Sequence, residues 1–204
     1  MDDDGLICGC AGATVWFTGP PGAGKTTVAQ ALAGALRARR HRVEILDGDP
    51  RHATLPTGPA RDDPDRHTER TGLAAEVLAR NGFLTLVSAT APGAASRDAV
   101  RRRHEATGTP YVEIHLDAPQ SVCAKRRPTG APMDHGAPTP PEETYEPPPA
   151  PDLRLITHHM SVSQTAAAVY GLLADMGVVR SRCVGPTDGT PPDPLAGQGV
   201  WPVS

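Results

Sequence analysis

The chain has few aromatic residues: two Trp, two Phe and three Tyr among 204 positions. A core built from it must rely on Ala, Val and Leu, so modest stability is expected. No apolar run approaches the ~20 residues of a membrane-spanning helix. Positive charge is not in excess: the net charge is −3 and the pI is near 6.2. No electrostatic case exists for a nucleic-acid partner. Cysteines number four: Cys8, Cys10, Cys123 and Cys183. Cys8-Gly9-Cys10 is too tight for a usual zinc knuckle and has no second pair beside it, so free thiols are expected. The first residues, Met-Asp-Asp-Asp, lack the basic and apolar regions of a secretory signal, which makes cytoplasmic the default expectation.

What is present begins with Gly19-Pro20-Pro21-Gly22-Ala23-Gly24-Lys25-Thr26, a complete phosphate-binding loop. Ala13 to Thr18 before it is β-branched and aromatic and reads as a buried strand. Thr27 to Ala38 after it reads as a helix. Glycines let successive amides turn inward around phosphate oxygens, and the helix start adds its positive dipole end. Lys25 is placed to reach the β- and γ-phosphates, and the Thr26 hydroxyl to ligate Mg²⁺. Residues 19–27, Thr27 included, are therefore the expected ATP contacts.

Further elements alternate. Val43–Leu46 reads as a strand ending at Asp47-Gly48-Asp49-Pro50, and residues 56–64 as a mobile loop. Asp65–Arg80 reads as a helix with Leu73, Val77 and Leu78 on one face and Asn81-Gly82 as its C-cap. Phe83–Ser88 and Tyr111–Leu116 read as strands. Ser96–Ala106 reads as a helix with an exposed basic face, and Pro119–Arg126 as a short helix. Residues 128–151 are Pro/Gly-dense and read as a lid or loop. Asp152–Ile156 reads as a last strand and Ser161–Met176 as a closing helix with Ser161 as N-cap. The expected organisation is a loose leader over 1–12, one domain over 13–177 and a disordered tail over 178–204. The expected fold is α/β, a P-loop NTPase-type three-layer α/β/α arrangement with a mostly parallel central sheet. Ligands should sit beyond the carboxyl ends of its strands. His104 is expected at the surface, His115 in the sheet, and His158-His159 without a metal role.

Several segments, in order, resemble the adenylylsulfate (APS) kinase family. They are Thr14–Gly19, Gly22–Lys25, Val43–Asp49, Glu76–Gly82, Pro92 with Arg97–Arg101, Tyr111–Glu113 and Tyr145–Pro148. The resemblance implies a kinase that uses ATP and Mg²⁺ to phosphorylate the 3′-hydroxyl of adenylylsulfate, giving PAPS. It implies Lys25, Asp47 and Asp49 as catalytic residues, and Thr26 and Asp49 at the metal. Arg126 is implied at the ATP, and Asp49, Arg51, Arg66, Arg70, Pro92 and Arg97 at the acceptor. A small-molecule substrate and a homodimer are implied partners, with no nucleic acid and no membrane.

The acceptor side departs from the family pattern. His52 stands where the family has an Arg, with Arg51 one step early. The stacking Phe of the next loop is missing, for no aromatic occurs in 47–82. Thr90-Ala91-Pro92 replaces Ile-Ser-Pro. Residues 126–132 keep Arg126 and Arg127 but lack the family's Lys and Tyr, and the second adenine-clamping Phe is absent. Losing one base-stacking ring removes ~1–3 kcal/mol of affinity. Two alternatives stay open: a kinase for another hydroxylated small molecule, and a nucleotide-binding homologue without turnover.

Overall fold

The computed structural model describes residues 12–47, 64–126 and 145–179. Five strands alternate with five helices: β1 (Ala13–Thr18), α1 (Lys25–Arg37), β2 (Val43–Asp47), α2 (Pro64–Arg80), β3 (Leu84–Ser88), α3 (Ala94–Ala106), β4 (Tyr111–Asp117), α4 (Gln120–Arg126), β5 (Leu153–Ile156) and α5 (Val162–Asp175). The leader, residues 48–63, residues 127–144 and the tail from 180 lie outside the described residues.

The sheet order is β2-β3-β1-β4-β5, and each of its pairings is parallel. β1 is central and buried along its whole length, which is why it reads as a near-continuous apolar and β-branched run. Its alternate side chains feed two separate cores. Val15 and Phe17 join Leu32 and Leu36 of α1 and Val169 and Leu173 of α5 on one face. Trp16 joins Val87, Ala75 of α2 and Val100 of α3 on the other. The result is the expected three-layer α/β/α architecture.

Ser161 caps α5 in a reciprocal capping box. Its Oγ accepts from the Gln164 amide at 3.2 Å, and the Gln164 side chain accepts from the Ser161 amide at 2.9 Å. Gly82 ends α2 with φ 80°. Val179 is buried in the core, so the chain remains part of the packed body two residues beyond Gly177.

Two expectations of burial are corrected. On α2, Leu73 and Val77 are exposed, while Gly72, Ala75 and Ala79 are buried. The contact with α3 is too close for large side chains: a Cβ on Gly72 would meet Val100 Cγ2 at 2.5 Å. His104 is fully buried rather than at the surface. Its Nδ1 donates to the Val100 carbonyl at 2.8 Å, leaving Nε2 to accept from the Thr14 hydroxyl at 2.9 Å. Burial lowers its pKa and so favours that neutral form.

Candidate functional site

In a parallel sheet every helix starts at the carboxyl edge, so the functional loops gather there. The loop between β1 and α1 turns on itself with Gly22 at φ 90° and Gly24 at φ 99°. These are left-handed conformations that side chains resist. Gly22 also lies against α4, where an added Cβ would stand 2.5 Å from the Cys123 carbonyl. α1 opens at Lys25, two residues earlier than its sequence suggests. The Lys25 ammonium is largely buried and donates to the carbonyls of Gly19 at 2.9 Å and Pro20 at 3.2 Å. A lysine held against a glycine loop at the start of a helix is the arrangement that suits a polyphosphate.

Thr26 shares a 2.8 Å hydrogen bond with the Ser88 hydroxyl, and Asp47 pairs in register with Ser88. Thr26, Ser88 and Asp47 therefore bring oxygen donors to one corner of the edge. Hard oxygen donors suit Mg²⁺. Ser88 escaped the sequence reading because its partnership with Thr26 spans 62 residues. Pro21 and Thr27 are exposed on the loop and on the first turn of α1.

Arg126, at the end of α4, donates to the Thr157 carbonyl at 3.3 Å. The Thr157 hydroxyl donates to the Ala23 carbonyl at 3.2 Å. This chain of contacts joins Arg126 to the phosphate loop through the turn after β5. Thr157 is a second residue that local sequence patterns did not disclose.

On the acceptor side, Asp49 and Arg51 lie outside the described residues. Arg66 and Arg70 are exposed in the first two turns of α2, at the carboxyl edge. Arg97 is different. Although α3 reads as having an exposed basic face, Arg97 is 2% exposed. Its Nε donates to Glu113 at 3.1 Å, and its other nitrogens donate to the carbonyls of Ala91, Pro92 and Glu146. Arg97 thus ties the turn after β3 to the segment beginning at Tyr145. The Glu146 amide donates to the Pro92 carbonyl at 3.0 Å, closing the same junction. Tyr145 reaches further: its hydroxyl lies 3.2 Å from Thr18 Oγ1, next to the phosphate loop, while Thr18 donates to the Thr90 carbonyl at 3.1 Å.

The electrostatics of this junction follow from burial. Glu113 is held above the usual carboxylate range by desolvation, against the pull of Arg97 and Arg101. Desolvation lowers the His115 pKa, although Asp117 opposes it. Tyr145 is pushed up to about 12, chiefly by burial. Among the described residues, no group of three His, Cys, Asp or Glu could hold a metal, and no helix is long and apolar enough to cross a membrane.

The adenylylsulphate kinase family model matches residues 11–156, from the strand before the phosphate loop to the end of β5. The chain belongs to the adenylylsulphate kinase family. A probable adenylyl-sulfate kinase of Aeropyrum pernix is 35% identical over 171 residues, covering 79% of this chain and 92% of that relative. An adenylyl-sulfate kinase of Synechococcus sp. (strain JA-3-3Ab) is 37% identical over 179 residues, covering 84% and 99%. Among solved structures, the Mycobacterium tuberculosis APS kinase in complex with AMPPNP and APS is similar at TM-score 0.70 and 34% identity, covering 81% of this chain and 99% of that one.

Proposed function

We propose that the protein is an ATP-dependent kinase that transfers the γ-phosphoryl group to the 3′-hydroxyl of adenylyl sulfate. The observation that carries this is a built phosphate cradle, with the Lys25 ammonium on the Gly19 and Pro20 carbonyls, in a chain of this family. Phosphoryl transfer asks little covalent chemistry of the protein. It needs alignment and neutral surroundings for charge on the transferred group.

The residues divide the work accordingly. The backbone amides of Gly22 and of Gly24 to Thr26 hold the β- and γ-phosphates. Lys25 leaves its two carbonyls to follow charge on the γ-phosphoryl oxygens. Mg²⁺ would be held by Thr26 and Asp49, with Ser88 bonded to Thr26 and Asp47 in register with Ser88, and when bound it would neutralise phosphate charge. Asp49 receives the proton of the acceptor hydroxyl. Arg126 borders the ATP. Arg51, Arg66 and Arg70 supply positive charge for a dianionic acceptor. Arg97 acts from behind by fixing the turn at Ala91 and Pro92, its donors being committed to Glu113 and three carbonyls. A homodimer belongs to the same proposal and is read by sedimentation velocity.

The test is ADP release with Mg-ATP, with and without adenylyl sulfate. The expected result is acceptor-dependent release. Lys25→Ala should lower kcat by about 10²–10³-fold or more, the cost of one lost transition-state donor. Full activity in that variant refutes the donor-site assignment.

A further inference from the structure

Two threonines of β1 are fully buried, Thr14 near its start and Thr18 at its end. A buried hydroxyl needs a partner, and here the partners differ. Thr14 is bonded to His104 of α3 at 2.9 Å, in the half of the sheet away from the phosphate loop. Thr18 stands directly before Gly19, where that loop begins. Its Oγ1 donates to the Thr90 carbonyl at 3.1 Å and lies 3.2 Å from the Tyr145 hydroxyl. A threonine hydroxyl has one proton to give. With that proton on Thr90, Tyr145 is the donor to Thr18. Burial pushes the Tyr145 pKa up to about 12, so it keeps its proton at neutral pH. The hydroxyls therefore run in one direction, from Tyr145 through Thr18 to Thr90.

This bond extends the sheet by side-chain means. β1 and β3 pair in register up to Phe17 and Ser88, and the Ala89 amide still donates to the Phe17 carbonyl at 3.3 Å. Past that point the two chains part. β1 turns into the phosphate loop, and the chain after β3 enters the Thr90-Ala91-Pro92 turn. The Thr18 hydroxyl spans the gap where the backbone ladder stops.

The turn itself needs holding. Ala91 has φ 41°, a left-handed conformation that side chains resist and that persists where the surroundings over-determine it. Each of its three carbonyls is taken. Thr18 donates to that of Thr90, Arg97 to that of Ala91, and Arg97 together with the Glu146 amide to that of Pro92. Arg97 belongs to α3 and Glu146 to the segment beginning at Tyr145. Thr18 belongs to the strand that carries the phosphate loop.

We propose that Thr18 is a positioning residue for phosphoryl transfer. Its hydroxyl sets the turn after β3 in register with the phosphate loop, so that the acceptor hydroxyl and the γ-phosphate meet in line. In-line transfer is sensitive to small displacements of either partner. The inference rests on the reading above, in which the turn at Ala91 and Pro92 borders the acceptor.

The experiment compares Thr18→Val, Thr18→Ser and Thr14→Val with the native protein. Thr18→Val keeps the branched shape and deletes the hydroxyl. It should lower kcat for transfer to adenylyl sulfate by about 10- to 100-fold, the scale of a small misplacement of reacting groups. Its Kd for Mg-ATP, measured by calorimetry, should stay within about two-fold, because the phosphate loop keeps its own contacts. Thr18→Ser restores the hydroxyl and should bring kcat back to within about three-fold of native. Thr14→Val deletes the other buried hydroxyl of the same strand; it should lower Tm and change kcat by less than about two-fold. If Thr18→Val does not fold, Thr18→Ala carries the same expectations. Unchanged kcat in Thr18→Val, an equal loss of kcat in Thr14→Val, a matching loss of Mg-ATP affinity, or failure of Thr18→Ser to restore kcat overturns the positioning role and leaves the kinase assignment standing. A native protein that transfers no phosphate to adenylyl sulfate overturns both.

Discussion

Replacing Arg97 by Met should unfold the junction behind the acceptor site before it affects the phosphate loop. The guanidinium is 2% exposed and has Glu113 as its charge partner at 3.1 Å. Removing one member of a buried ion pair typically costs about 3–5 kcal/mol, because the other charge stays buried. Arg101 remains 3.4 Å from Glu113 and softens that loss. Against this, the Ala91 and Glu146 carbonyls lose their Arg97 donor, at about 1 kcal/mol or more each. The two corrections nearly offset, so about 3–5 kcal/mol stands, or roughly 6–20 °C in Tm for a domain of this size.

The pH dependence has a definite sign. Glu113 already sits above the ordinary carboxylate range through burial, and losing Arg97 moves it higher. A carboxyl group with a raised folded pKa contributes stability that is complete below its unfolded pKa and is lost as pH rises through the folded value. The deficit of Arg97→Met should therefore be larger at pH 8 than at pH 5, within the window set by that raised pKa. Urea unfolding at both pH values measures it. Adding Glu113→Gln should recover part of the loss by removing the stranded charge. A deficit below about 1 kcal/mol with no pH dependence would refute the reasoning, since it would mean that no buried charge had been stranded.

Two other stability predictions are smaller. Ser161→Ala removes half of the capping box and should cost about 1 kcal/mol, measured by urea unfolding. Glu76 is 1% exposed; burial raises its pKa, but the hydrogen bond and charge of Arg103 bring the net value below the ordinary one. Its stabilising contribution is present above the unfolded pKa and lost as pH falls through the folded one, so Glu76→Gln should destabilise the protein at pH 7 and progressively less below about pH 4.

The strand, loop and helix that frame the proposed donor site were legible because their signals are local. A buried strand, a glycine loop and a helix lie in consecutive residues, and each constrains the next. The fold class was legible for the same reason: alternating strands and helices leave few arrangements. What escaped depends on partners distant in the chain. Arg97 reads as one more exposed cation until Glu113 and Glu146 are folded beside it. Ser88 and Thr157 gain meaning only from Thr26 and Ala23. Periodicity on α2 favoured Leu73 and Val77 as core, because a pattern of apolar positions cannot register that the neighbouring helix comes close enough to demand glycine and alanine. His104 looked solvated by type, yet Thr14 and the Val100 carbonyl satisfy both its nitrogens in the interior.

The central claim is tested most directly by following isotope. The protein is incubated with ATP labelled at the γ-phosphate, Mg²⁺ and adenylyl sulfate, and the products are separated. The account predicts label on the 3′-position of adenylyl sulfate, one for each ADP formed. Label appearing only as inorganic phosphate, or remaining on ATP while adenylyl sulfate is unchanged, would contradict it.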